Sequence, residues 1–176
     1  MIRETFSEKE TYDLGKELGA KAVPGQVLCI DGDLGVGKTV FTKGFAKGLG
    51  VEEDVVSPTF TIIQIYDEGN LPLYHFDVYR IGEPEEMYEI GFEDYFYGEG
   101  VCLIEWASLI EELLPENAVR IRIEKDLEKG FDYRKITDNL WQILIKDLQK
   151  IKEVSEPLFF LLFCAKSVVF SRFLIT

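Results

Sequence analysis

Ile30-Asp31-Gly32-Asp33-Leu34-Gly35-Val36-Gly37-Lys38-Thr39-Val40-Phe41 decides the fold. Residues 32–39 match G-x-x-x-x-G-K-[ST], the pattern of a loop that wraps phosphates between a strand and a helix. Glycines let the backbone turn tightly and aim its N–H groups inward, and the helix that follows adds its positive end. The stretch on each side has the required character. QVLCI (26–30) is a short apolar run of the kind buried on both faces of a sheet. TVFTKGFAKGL (39–49) reads as a helix with Val40, Phe41, Phe45 and Leu49 towards that sheet. The cradle is therefore expected from Asp33, Leu34, Gly35, Val36, Gly37, Lys38, Thr39 and Val40. Lys38 would reach the β- and γ-phosphates of a nucleoside triphosphate, and the Thr39 hydroxyl would ligate Mg²⁺.

Outward from the loop, elements alternate between strand and helix. Ser7-Glu8-Lys9-Glu10 has the form of a capping box, with Leu14 and Leu18 on one helical face and Gly19 as the stop. FTIIQIY (60–66) and LYHFDVY (73–79), separated by the turn residues DEGN, read as a β-hairpin after the first helix of the core. Pro84 suits the first turn of a helix to about Glu89. VCLIEW (101–106) is a second buried strand, followed by the amphipathic SLIEELL. AVRIRIE (118–124) alternates as a half-exposed strand and is expected to pair with DYRKIT. NLWQILIKDLQKI (139–151) places Leu140, Leu144, Leu148 and Ile151 on one helical stripe. The expected fold class is α/β: a single domain of the P-loop NTPase kind, residues 1–154, with a mostly parallel sheet flanked by helices.

The last segment, residues 155–176, stands apart. It is strongly apolar, but Lys166 and Arg172 interrupt it before the length of about 20 clean residues needed to span a bilayer. A packed or partner-docked tail is the reading, and no membrane is expected.

Composition bounds the function. The 176 residues carry 19 basic and 32 acidic side chains, a net charge of −13 that opposes direct, sequence-independent nucleic-acid binding. The N-terminus is charged and lacks the apolar core of a secretory signal. Cys29, Cys102 and Cys164 share no metal-ligand or redox spacing and read as buried thiols in a reducing, cytoplasmic setting.

A phosphate loop alone hydrolyses nothing; Mg²⁺ must be held and a water oriented. Two acids lie on otherwise hydrophobic strands, where burial is costly unless a cation compensates. Glu105 ends VCLIE at the tip of a buried strand and is the stronger candidate. Asp77 in HFDVYR reads equally as a site acid or a structural one. Pattern alone puts Trp106 in the core and makes His75, the one histidine, a satisfied and partly buried residue. The N-K-x-D and D-x-x-G patterns of guanine-specific GTPases do not occur. The six arginines form no clustered lid, which sets a small-molecule kinase behind a hydrolase; a nucleotide-gated interaction module is the other alternative.

Four blocks in order, GDLGVGKT, SPTF (57–60), YHFDVYRI (74–81) and LIEW (103–106), with EIGFEDYF between the last two, resemble the TsaE (YjeE-type) family of small P-loop ATPases. The resemblance covers residues 7 to about 125 and leaves the tail outside. It implies a Mg²⁺-dependent, intrinsically slow ATP hydrolase in the making of threonylcarbamoyladenosine in tRNA. Such a protein works on the TsaB–TsaD heterodimer, with tRNA handled only indirectly. By position it makes Asp77 a magnesium-side carboxylate, alongside Thr39 and Glu105. It makes Glu105 the required acid and brings Trp106 near the nucleotide. It casts Ser57-Pro58-Thr59-Phe60 as a switch segment in which Thr59 senses the γ-phosphate.

Overall fold

The computed structural model describes residues 1–140, 142 and 143. Contacts divide the chain after Asp138, and the unit Met1–Asp138 holds the whole sheet. Its strands are β1 (Ile2–Thr5), β2 (Val27–Asp31), β3 (Ile63–Tyr66), β4 (Leu73–Asp77), β5 (Val101–Glu105), β6 (Val119–Lys125) and β7 (Arg134–Asp138). They lie in the order β1-β7-β6-β2-β5-β4-β3. The four central strands, β6-β2-β5-β4, are parallel, while β3 and the pair β1–β7 add antiparallel margins.

Burial explains the division. β5 is buried at all five positions, as suits a strand covered on both faces, whereas β6 alternates buried and open positions. Helix α3 (Glu86–Glu89), helix α4 (Phe92–Phe96) and a 3-10 helix (Ala107–Leu113) cover one face. There Phe76, Met87, Phe92, Phe96, Ile104 and Ile110 form a continuous core. Helix α2 (Lys38–Leu49) follows β2 on the other face, and α1 (Glu8–Gly19) packs on it.

The α1–α2 crossing is a backbone contact. A Cβ placed on Gly15 would lie 2.2 Å from Phe41 O, and one on Gly19 2.0 Å from Phe45 O. From the other side, Gly44 would meet Tyr12 O at 2.0 Å and Gly48 would meet Lys16 O at 2.2 Å. Two glycine pairs at i, i+4 thus face each other, and α2 is held at the closest distance two helices allow.

Several expectations change. Gly19 does not end α1 by adopting a left-handed turn: it is the last helical residue, capped by Ala20, and its missing side chain serves the crossing. The capping box forms with a shift, since Ser7 Oγ accepts from Glu10 N at 3.1 Å while Glu10 Oε2 accepts from Phe6 N at 2.8 Å. The hairpin's first strand starts at Ile63, because Thr61 N and Ile62 N both donate to Pro58 O and turn the chain. β4 ends at Asp77. On α2, Phe41, Phe45 and Leu49 are buried as expected, but Val40 is half-buried and Thr42 is buried instead. β1 has too short a pattern to read from sequence. The helix expected at 139–151 begins at Leu140 and includes Gln142 and Ile143; the rest of it, with the 154/155 boundary and the apolar tail, lies outside the described residues.

Cys29 and Cys102 are fully buried free thiols. Burial pushes Cys29 up to about 12 and Cys102 up as well. In a Cys164→Ser background, a thiol reagent at pH 8 should label neither residue in the folded protein and both in urea. Gly44→Ala should destabilise the fold by roughly 1–3 kcal/mol in urea titration, in spite of the gain in helix propensity, because its Cβ meets backbone that cannot step aside.

Candidate functional site

The carboxyl ends of the parallel strands carry the site, where an open α/β sheet presents loops to a ligand. β2 ends at Asp31 and turns through Gly32, whose backbone passes so close to β6 that a Cβ would lie 2.3 Å from Ile123 O. Val36 is buried beneath the loop, while Leu34 stands open to solvent. Gly37 opens α2 with φ 103°, and the first helical bond runs from Phe41 N to Gly37 O. The amides of Lys38, Thr39 and Val40 therefore have no intrahelical acceptor and lie at the positive end of the helix.

Lys38 is only 6% exposed. Its ammonium donates to Gly32 O at 2.8 Å and Asp33 O at 3.0 Å, and it sits 3.6 Å from the centre of the Trp106 ring. Burial lowers its proton affinity below the usual lysine range, against the opposing pull of Glu105 and then Asp77. The loop carbonyls and the ring are thus holding a cation in place. Trp106 adopts φ 63°, a left-handed conformation rare for a bulky residue, and its ring also packs against Tyr79 at 4.9 Å with the planes tilted by 45°. It lies beside Lys38 and is partly buried, packed against the edge of the core rather than within it.

The two acids lie side by side. β4 and β5 pair in parallel with Asp77 opposite Glu105, and neither is more than 3% exposed. Glu105 Oε2 accepts from Thr39 Oγ1 at 3.3 Å; Oε1 lies 3.1 Å from both Thr42 Oγ1 and His75 Nε2. Asp77 faces the SPTF segment. Its Oδ2 accepts from Ser57 Oγ at 2.7 Å and from Thr59 Oγ1, and its Oδ1 accepts from Tyr79 N at 3.1 Å. Thr59 reaches the loop site through Asp77, and Phe60, 83% exposed, lies under the Arg80 guanidinium at 4.2 Å.

This donor set fits Mg²⁺. Such an ion is held by one or two carboxylates with hydroxyl, water and phosphate oxygens, not by an all-protein cage. Thr39 and Glu105 supply a hydroxyl and a carboxylate oxygen 3.3 Å apart at the loop, with Asp77 on the adjacent strand. Among the described residues no cluster of three His, Cys, Asp or Glu forms a protein-only site.

Three participants escape sequence reasoning. Thr42 follows Lys38 by one turn and so shares its face. His75 precedes Asp77 by two and so shares its side of the strand, but is wholly buried with Nδ1 unpartnered, not partly buried and satisfied. Arg134 on β7 donates from Nε to Val36 O at 2.5 Å and from Nη1 to Phe131 O at 2.9 Å and Tyr133 O at 2.7 Å, bracing the loop from the far side. No local signal marks it.

A parallel-cored sheet, a glycine loop leading into a helix and an acid at the end of the neighbouring strand define a phosphate-loop α/β protein. The family described as threonylcarbamoyl adenosine biosynthesis protein TsaE matches residues 5–136. A TsaE of Bacillus subtilis is 48% identical over 155 residues, covering 86% of this chain and 95% of that protein. A TsaE of Treponema pallidum is 43% identical over 117 residues, covering 66% and 86%. The crystal structure of Bacillus subtilis YdiB superposes with a TM-score of 0.69 at 45% identity, covering 85% of this chain and 94% of that one. The chain belongs to the TsaE family, whose description places it in threonylcarbamoyladenosine biosynthesis.

Arg134→Met should lower stability by roughly 1.5–3 kcal/mol in urea titration, because the loop loses its charge-assisted bond to Val36 O.

Proposed function

We propose that this chain is a Mg²⁺-dependent ATP hydrolase of the cytoplasm that drives threonylcarbamoyladenosine modification of tRNA by acting on the TsaB–TsaD complex. The observation that carries the reading is the convergence of Lys38, Thr39 and Glu105 at the mouth of one loop, with Glu105 held within 3.3 Å of Thr39. Two elements distant in sequence, the start of α2 and the end of β5, bring a phosphate-binding cation, a metal-ligating hydroxyl and a buried carboxylate to one point. A structural turn has no need of the acid.

The chain's own groups divide the work. The loop amides and Lys38 bind and orient the β- and γ-phosphates, so Lys38 exchanges its hold on the Gly32 and Asp33 carbonyls for phosphate oxygens. Thr39, Glu105 and Asp77 would hold Mg²⁺, which neutralises charge developing on the phosphate oxygens. Glu105 accepts a hydrogen bond from the attacking water and fixes its direction. Trp106 and Tyr79 wall the site and exclude other water. Asp77 ties the SPTF segment to the site, so the hydroxyls of Ser57 and Thr59 are placed to respond when the γ-phosphate arrives or leaves. That response would pass the state of the nucleotide to a partner at the exposed Phe60 and Arg80. The charge of −13 suits such a division, in which partners handle the tRNA.

Lys38→Ala should abolish ATP binding measured by calorimetry. Glu105→Gln should keep ATP affinity within a few-fold while hydrolysis falls at least a hundredfold, the scale on which a single transition-state contact acts. ATP hydrolysis should rise when the TsaB–TsaD heterodimer is added. An unstimulated but Lys38-dependent rate would leave a hydrolase with a different client, and phosphoryl transfer to an added small acceptor would make it a kinase.

A further inference from the structure

His75 is the one histidine of the chain and is wholly buried on β4, beneath the acid and away from solvent. Its ring has a single hydrogen-bond partner among the described residues, Glu105 Oε1 at 3.1 Å from Nε2. Nδ1 has none. A buried ring nitrogen without a partner costs stability, and an apolar side chain of similar volume would avoid that cost. The contact at Nε2 is thus the only hydrogen bond among the described residues that a histidine adds here over a leucine.

The other donors to Glu105 are divided in their loyalties. Thr42 has one hydroxyl hydrogen and stands 3.0 Å from Lys38 O as well as 3.1 Å from Glu105 Oε1, so it cannot serve both. Thr39 donates to Oε2, but its hydroxyl is the group assigned to the metal. His75 Nε2 has no competing acceptor. It is also on the rigid side: β4 and β5 are hydrogen-bonded neighbours, with His75 opposite Leu103 and Asp77 opposite Glu105.

We infer that His75 is the positioning residue of the acid, and that this role rests on the hydrolase reading above. Its Nε2–H holds Oε1 inward, which leaves Oε2 facing the phosphate loop whether or not Thr39 and Thr42 keep their own bonds to the carboxylate. The ring therefore carries its hydrogen on Nε2 and leaves Nδ1 bare. This is the logic by which outer groups orient the ligands of metal sites, with the usual order of histidine and carboxylate reversed.

Because the chain has one histidine, ¹⁵N-histidine labelling reads its tautomer without ambiguity. In the full-length protein at neutral pH, the long-range ¹H–¹⁵N spectrum should show Nε2 protonated and Nδ1 bare, and Glu105→Gln should shift the Nε2 resonance. A hydrogen on Nδ1 with Nε2 bare, or a spectrum indifferent to Glu105→Gln, overturns the inference and leaves the hydrolase reading intact. In the same protein with TsaB–TsaD, His75→Leu should lower kcat about tenfold or more, with KM for ATP within about twofold. His75→Gln, whose amide nitrogen can donate from a similar place, should recover most of that loss. Wild-type kcat in His75→Leu, or equal losses in both variants together with lowered Tm, makes the histidine structural. Absence of any ATP hydrolysis by the wild-type protein instead overturns the hydrolase reading, and the spectrum still decides how the ring is used.

Discussion

Everything at the working end of this protein depends on keeping the Glu105 carboxylate, 2% exposed, out of water at the end of β5. A lone buried charge is too costly to survive, so the structure surrounds it with hydroxyl and imidazole donors and places the Lys38 ammonium near enough to pull on it. The same demand fixes the neighbours. α2 must approach closely enough for Thr39 and Thr42 to reach the carboxylate, and the facing glycines of α1 and α2 hold the two helices in direct backbone contact behind it. β4 must pair in parallel with β5 for Asp77 and His75 to flank it.

Strain gathers at the same place. Trp106 and Ile62 are the two described non-glycine residues with positive φ, and each directs the chain at a site acid. Trp106 directly follows Glu105, and its twisted backbone turns the indole back over Lys38. Ile62 closes the turn after the SPTF segment, and its carbonyl accepts from Asp77 N at 2.9 Å. Such conformations persist only where surroundings over-determine them. Here Tyr79 on the indole and the Pro58 carbonyl beneath the turn supply the restraint. The two strained points connect the phosphate loop to the segment that carries Ser57, Thr59 and the exposed Phe60.

Local chemistry explains what could be read along the chain. The phosphate loop needs its glycines, lysine and threonine consecutively, so one stretch declares it. VLCI and VCLI are apolar throughout because parallel central strands are covered on both faces, and AVRIRIE alternates because β6 is not. Glu105 was visible as an acid on such a run. Other features left little trace. β1 is four residues long and takes its place by pairing with β7, with Ile2 opposite Thr137 at the far end of the described sheet's sequence. Phe60–Ile62 look like strand by composition, yet the amides of Thr61 and Ile62 are captured by Pro58 O. Gly19 resembles a helix stop in one dimension and proves to be a contact point in three.

Sequence by itself determined the class of fold, the phosphate loop and its two principal side chains, because these rest on residues adjacent in the chain whose spacing mirrors backbone geometry. Only the tertiary structure decided how the acid is held. Thr42 and His75 reach Glu105, and Arg134 reaches Val36, across 63, 30 and 98 residues respectively. No periodicity along a single element records such contacts, since they exist only where separate elements close on one another.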